Sequence, residues 1–242
     1  MPRPRTALII PTLNEADAIG AVVGEIPRGL IDRIIVADGG SSDATAERAR
    51  LAGAEVIQAG HGYGRACLAA ALAAGDAQIL VYMDGDGADD PRAIERLLQP
   101  IAAGTKDFVL GSRVRGAQAR GSMGWHQRIA GAGLGLALRL AYGVRFTDMC
   151  ALRAIRRDAL LSLGMTEMTY GWNLEMQMRA ARRGLRILEL PVDNRQRIGG
   201  ASKVAGSLRG TLTAGMRILA TFGRQLLTAE SKGSSAAHKI RP

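Results

Sequence analysis

Two cysteines, Cys67 and Cys150, lie far apart in 242 residues and match no zinc or redox spacing. That pattern excludes a disulfide framework and implies buried thiols in a reducing, cytoplasmic compartment. Aromatic residues are only 4% of the chain and form no stacking array, so a nucleic-acid binder is not expected, although the net charge is +10. No window of about 18 residues is strongly apolar and free of charge, and Met1-Pro-Arg-Pro-Arg5 leads toward a strand without an apolar signal region, so no membrane span is expected. Two stretches lack acidic residues. Phe108 to Thr147 carries six arginines, and Asn194 to Ala229 carries Arg195, Arg197, Lys203, Arg209, Arg217 and Arg224, which leaves a net −2 elsewhere. The basic character is local and lies downstream of the aspartates at 84–90.

With 47% hydrophobic residues, the chain can bury the core of a single α/β domain, expected over residues 1–228. The first half repeats strand and helix at short spacing: strands at 6–11, 32–38, 54–58, 79–83 and 107–113, and helices at 16–26, 43–51 and 65–74 and after Pro91. That alternation predicts a mostly parallel central sheet flanked by helices. Further on, the pattern predicts helices at 125–142 and 170–183, strands at 149–155 and 185–191, and a final helix at 206–228. In that last helix Leu208, Leu212, Ile218, Leu219, Phe222 and Leu226 share one arc and Arg209, Arg217 and Arg224 another. Such a basic amphipathic helix suits either docking on its own core or an anionic membrane surface. Residues 229–242 are expected to fray.

The chemistry centres on Ile79-Leu-Val-Tyr-Met-Asp-Gly-Asp-Gly-Ala-Asp-Asp-Pro91. An apolar strand delivers Asp84 and Asp86 at its C-terminal end, where open α/β sheets place their sites. Residues two apart on an extended backbone point the same way, so both carboxylates can converge on one hard cation and, through it, on a diphosphate. Asp-Gly-Asp-Gly is equally good turn chemistry. A helix-loop-helix calcium loop would want an oxygen ligand at Ala88 and a glycine at Asp89, and has neither. Upstream, Gly60-His-Gly-Tyr-Gly64 fails a dinucleotide fingerprint because the third glycine position is Arg65; it reads as a loop able to approach a phosphate through backbone N–H groups.

Taken together, the motifs from about Ala7 to Lys203 resemble glycosyltransferase family 2, most closely its polyprenyl- or dolichyl-phosphate sugar transferase branch. The pieces are Pro11-Thr-Leu-Asn-Glu15, Asp38-Gly-Gly-Ser-Ser-Asp43-Ala-Thr45, Asp84-Gly-Asp86, Gly111-Ser-Arg113, Asp148, Tyr170-Gly-Trp-Asn-Leu-Glu175, Leu190-Pro-Val192 and Arg197-Ile-Gly-Gly-Ala-Ser-Lys203. The resemblance implies a GT-A-like fold and an inverting transfer from a nucleotide-diphospho-sugar donor. It also implies Pro11, Asn14, Glu15, Asp38 and Asp84 on the nucleotide sugar, and Asp84 and Asp86 on Mg²⁺ or Mn²⁺. The chain departs from the pattern at Gly39, where a second aspartate is common, and at Ala88, where a glutamine is common; Asp89 or water would then complete the metal shell.

Two acceptor chemistries stay open. A hydroxyl acceptor needs a base, for which Asp148 and Glu175 are the candidates. A polyprenyl phosphate or other lipid-linked phosphate carries its own oxyanion, since its second pKa is about 6. It needs cationic positioning instead, from Arg113, Arg197 and Lys203, with Ser202 in the same segment. The basic stretches fit the second case and an anionic membrane face. A soluble transferase and a non-catalytic sugar-nucleotide-binding protein are the alternatives.

Overall fold

The computed structural model describes residues 3–117 and 143–199, with positions 135, 139, 140 and 223. The expected helices at 125–142 and 206–228, apart from those single positions, and Ser202, Lys203 and the 229–242 tail lie outside the described residues.

Seven strands form one sheet: β1 (Thr6–Thr12), β2 (Arg33–Asp38), β3 (Glu55–Gln58), β4 (Ile79–Tyr82), β5 (Phe108–Ser112), β6 (Arg153–Arg156) and β7 (Ile187–Pro191), in the order β3-β2-β1-β4-β6-β5-β7. All pairings are parallel except those of β6, which runs antiparallel to both β4 and β5. Every residue of β1 and β4 is buried, as continuous apolar runs require when helices cover both faces.

Alternate residues of the strands feed two apolar layers. Ala7, Ile9, Ile35, Ala37, Leu80 and Tyr82 pack with α3 (Tyr63–Ala73) and the helix Trp172–Arg182, numbered α6 below. Leu8, Ile10, Ile34, Val36, Ile79 and Val81 pack with α1 (Ala16–Gly24) and α4 (Ile94–Ala102). The helix faces follow from spacing. Ile19, Val22 and Val23 of α1, and Ile94, Leu97, Leu98 and Ile101 of α4, recur every three or four residues and are buried. In α3 the buried residues are Gly64, Ala66, Cys67, Ala70 and Ala71, all small, so its backbone lies close to the sheet.

One expected element needs correction, and two further details appear. The strand expected at 149–155 begins only at Arg153, because the preceding residues run as irregular chain beside the site. A helix α5 (Arg157–Leu163) follows it directly and was not expected; seven residues are too few for a clear apolar period, and its left-handed Gly164 stop is the one legible signal. The helix opened by Pro91 starts as a 3-10 turn, Pro91–Ala93, capped by the Asp90 side chain. The remaining helix, α2, spans Thr45–Leu51.

Because β1 is hydrogen-bonded to β2 on one side and to β4 on the other, the order reverses between β1 and β4. A crevice opens outside the carboxyl ends of those strands, where this architecture binds ligands.

Candidate active site

Three loops leave the carboxyl ends of β1, β2 and β4 at that crevice. Thr12 and Asp38 are register partners where β1 and β2 end. Beyond them the first two loops are laced together. Asn14, at φ 51, donates its N–H to Ser41 Oγ (2.9 Å) and accepts the Ser42 N–H on Oδ1 (2.9 Å). Glu15 donates its N–H to Thr45 Oγ1 (2.8 Å), and Ala16 donates to Asp43 Oδ2 (3.2 Å). Asp38 is 2% exposed and accepts from the Ser41 N–H, the Ser41 hydroxyl and Gln58 Nε2. The structure therefore brings Pro11, Asn14, Glu15 and Asp38 to one edge of the crevice. The serine- and threonine-rich second loop is what orders them.

The third loop corrects the extended-strand geometry expected for Asp84 and Asp86. β4 stops at Tyr82, and Gly85-Asp86 is a turn. Asp84 Oδ1 accepts the Tyr63 hydroxyl (3.2 Å), and the Asp84 N–H donates to Asp89 Oδ2 (3.0 Å). Asp86 Oδ1 accepts the Ala88 N–H (2.9 Å), while Oδ2 forms an ion pair with Arg197 (2.5 Å). Three carboxylates thus crowd one loop. Burial, then the neighbouring charges of Asp89 and Asp86, raises the Asp84 pKa to about 7. Burial, with the Asp86 charge, raises Asp89 to about 6 against the pull of the Asp84 N–H and Arg113.

These shifts predict a pH dependence. Both groups hold protons more tightly folded than unfolded, so the penalty for ionising them grows as pH rises from about 4 through about 7. In EDTA, the melting temperature should fall between pH 5 and pH 7.5 and level off above that. Asp89→Asn should flatten the fall in a fluorimetric melt, and an unchanged slope would contradict the assignment.

Among the described residues, no three Asp, Glu, His or Cys side chains are arranged to hold a metal ion alone. The donor set still fits a hard divalent cation. Asp84 and Asp86 offer carboxylate oxygens in a loop of excess negative charge, and oxygens of a diphosphate and water complete such shells. Asp89, the expected substitute at the Ala88 departure, is 6% exposed and engaged by the Asp84 backbone.

A strap from Asp193 to Gly199 crosses this loop. The Arg195 N–H donates to the Ala88 carbonyl (2.8 Å), and the Ile198 N–H to the Asp86 carbonyl (3.0 Å). Arg195 pins the strap through ion pairs with Glu25 (2.5 Å) and Asp90 (2.7 Å). Arg197, assigned from sequence to an acceptor phosphate, forms an ion pair with Asp86.

The acceptor-side residues are rearranged more. Asp148 accepts from Arg113 three times, from the backbone N–H (2.9 Å), Nε (2.8 Å) and Nη2 (2.9 Å). Burial works to raise the Asp148 pKa, but the Arg113 bonds outweigh it and hold the carboxyl below its ordinary value. A carboxylate so held is a weak base and the partner of Arg113. Glu175 is 0% exposed, and its oxygens accept from the Thr166 N–H (3.0 Å), Thr166 Oγ1 (2.7 Å), the Glu167 N–H (2.7 Å) and Arg179 Nε (2.9 Å). It braces the 166–167 loop from inside.

Sequence reading passed over Glu189 of β7, which accepts from the Thr147 N–H (2.9 Å), Thr147 Oγ1 (2.7 Å) and the Asp148 N–H (3.3 Å) and so sets Asp148 against Arg113. A lone acid inside Ile-Leu-Glu-Leu-Pro was the available signal. Arg153, 0% exposed, was also missed; it donates to the Cys150 carbonyl (3.0 Å from Nε) and the Asn173 carbonyl (3.2 Å). A cavity of about 310 Å³, lined by Asp107, Arg156, Asp158 and Leu185 among others, lies at the opposite end of the sheet, and its charges pair with one another.

The family model for glycosyl transferase family 2 matches residues 7–164. An uncharacterized glycosyltransferase of Mycobacterium tuberculosis is 37% identical over 210 residues, covering 86% of this chain and 93% of the relative. Polyprenol monophosphomannose synthase of Mycolicibacterium smegmatis is 32% identical over 222 residues, covering 85% and 83%. Among solved structures, glucosyl-3-phosphoglycerate synthase of M. tuberculosis, in complex with Mn²⁺, uridine-diphosphate-glucose and phosphoglyceric acid, superposes with a TM-score of 0.76 at 24% identity, covering 92% of this chain and 79% of that one. That likeness carries the GT-A-like fold. With the model matching most of the chain and relatives above 30% identity along nearly their whole length, this chain belongs to glycosyl transferase family 2, and it is a glycosyltransferase.

Proposed function

We propose that this enzyme moves a sugar, with inversion, from a nucleotide-diphospho-sugar to a lipid-linked phosphate, and that it does so peripherally at the cytoplasmic membrane face. The observation that carries this reading is the engagement of both candidate bases: Asp148 is locked to Arg113, and Glu175 is sealed in the core. A hydroxyl acceptor would want one of them. A phosphate monoester needs neither, because it is already an oxyanion near neutral pH. The relative named as a polyprenol monophosphomannose synthase supports the same acceptor class.

In this reading Glu15 and Asp38, ordered by Ser41 and Thr45, accept hydrogen bonds from the base and ribose hydroxyls of the donor. Asp84 and Asp86 would hold a divalent ion, which when bound would offset charge developing on the departing diphosphate. Arg197 exchanges Asp86 for an anionic oxygen of donor or acceptor. Asp148 serves as the orienting partner that fixes the Arg113 fork toward the acceptor phosphate. Attack from the face opposite the diphosphate inverts the anomeric centre in one displacement. Among the described residues no helix is long and apolar enough to cross a membrane. Membrane contact then rests on the basic segments, attracted to anionic headgroups.

Metal dependence gives the test. Transfer in EDTA should fall to background and return with Mn²⁺ or Mg²⁺, and the product's anomeric configuration by NMR should be opposite to the donor's. Full activity in EDTA, or retention, would sink the corresponding part of the mechanism.

A further inference from the structure

We propose that Tyr63 is a positioning residue for Asp84, through which the loop at 165–173 in the second half of the chain sets how that aspartate is presented. The inference rests on the reading of Asp84 as a metal ligand. It starts from the turn Gly60-His-Gly-Tyr-Gly64, whose sequence suits approach to a phosphate through backbone N–H groups. The structure gives it another partner. A Cβ on Gly64 would strike the Glu167 carbonyl oxygen, and one on Gly62, at φ 126, would strike the carbonyl oxygen of Met168. The Arg65 N–H donates to that same Met168 carbonyl (3.1 Å). The two glycines therefore serve a close approach of peptide to peptide, with α3 beginning against the 167–168 backbone.

Seating α3 there delivers the half-buried Tyr63 to the acidic loop, where its hydroxyl donates to Asp84 Oδ1 (3.2 Å). The Asn173 side chain also lies beside the phenol oxygen, within reach to polarise it. The Asn173 backbone is held in turn, since its main-chain carbonyl accepts from the buried Arg153 (3.2 Å). The loop that receives Gly62 and Gly64 is fixed from below by Glu175, through the N–H groups of Thr166 and Glu167. Two sequence motifs thereby converge on one phenol. The glycine turn positions its ring, and Tyr170-Gly-Trp-Asn173 positions its hydroxyl. The Asp84 N–H is tied to Asp89, so the phenol bond on Oδ1 and that backbone bond together set the rotation of the Asp84 carboxylate. Hydrogen bonds to a ligating carboxylate fix its orientation, and losing such a partner typically costs 10–100-fold in metal affinity.

The test uses the full chain, Mn²⁺ alone as probe, and free Mn²⁺ read by electron paramagnetic resonance, with Tyr63→Phe, Asn173→Ala, the double variant and Asp84→Asn. Tyr63→Phe should bind Mn²⁺ roughly ten-fold more weakly. Asn173→Ala should weaken it in the same direction, and the double variant should be no weaker than Tyr63→Phe, because both act through one hydroxyl. Melting temperatures should not track the losses. Wild-type affinity in both folded single variants, with Asp84→Asn impaired, would overturn the positioning role and leave the metal reading standing. If Asp84→Asn binds Mn²⁺ like wild type, or wild type binds none at millimolar concentration, the metal reading falls and the role of Tyr63 with it. Additive losses in the double variant would also overturn it, since they would mean that Asn173 acts by a separate route.

Discussion

Asp86→Asn should lower sugar transfer by roughly 10³-fold, about 4 kcal/mol of transition-state stabilisation, while the protein remains folded. The substitution is nearly isosteric. The Asn carbonyl can still accept the Ala88 N–H that Asp86 Oδ1 accepts, so the turn survives. What disappears is one of two carboxylates available to a divalent ion, together with the counter-charge of Arg197. The Arg197 side chain is about one-third exposed, so loss of that ion pair should cost no more than about 1 kcal/mol of stability. Removing a charge beside Asp84 and Asp89 also relieves part of the repulsion that raises them. A near-normal melting temperature with Mn²⁺ affinity and transfer both lost is the expected signature. Retained transfer would show that Asp86 caps a turn and does nothing more.

The second large effect belongs to Arg113→Gln, which should reduce both stability and transfer. Asp148 is 8% exposed, and its carboxylate takes three bonds from Arg113. Without the guanidinium the carboxylate is buried without its cation, a defect that costs about 3–5 kcal/mol in comparable pairs. At roughly 2–4 °C per kcal/mol for a chain of this size, the melting temperature should drop by about 10 °C. Adding Asp148→Asn removes the stranded charge, so Arg113→Gln/Asp148→Asn should recover most of the stability. Transfer should remain at least roughly 10²-fold down in the double variant, because the cation proposed to meet the acceptor phosphate is still missing. Transfer that recovers along with stability would make the pair a scaffold element only.

The first half of the fold was legible because it obeys one local rule. Apolar runs such as Leu8-Ile-Ile10 and Ile79-Leu-Val81 are buried on both faces, and the helices between them repeat apolar residues every three or four positions. The residues proposed for the nucleotide sugar lie at or just beyond the ends of those strands, so finding the strands puts Asn14, Glu15, Asp38 and Asp84 at the crevice. The acceptor side resisted the same reading for two reasons. β6 enters the sheet antiparallel between β4 and β5, a pairing with no local signature, and that insertion carries Arg153 under the site. Charge identity is also silent about partners. The types of Asp148, Glu175 and Arg197 do not say that Arg113, the 166–167 backbone and Asp86 pair with them. The glycine turn failed for a related reason: glycine reports close approach, and sequence does not say whether a phosphate or a peptide carbonyl is approaching.

The most direct measurement follows radiolabel from a panel of sugar nucleotides, with Mn²⁺ or Mg²⁺, into a short polyprenyl phosphate and, in parallel, into the corresponding polyprenol. Label entering the lipid fraction from one donor, with the phosphate and not with the alcohol, is the predicted result; it would identify the donor at once. Label entering the alcohol, or a water-soluble hydroxyl acceptor while the lipid phosphate stays unlabelled, would contradict the phosphate-acceptor mechanism and return Asp148 to consideration as a base.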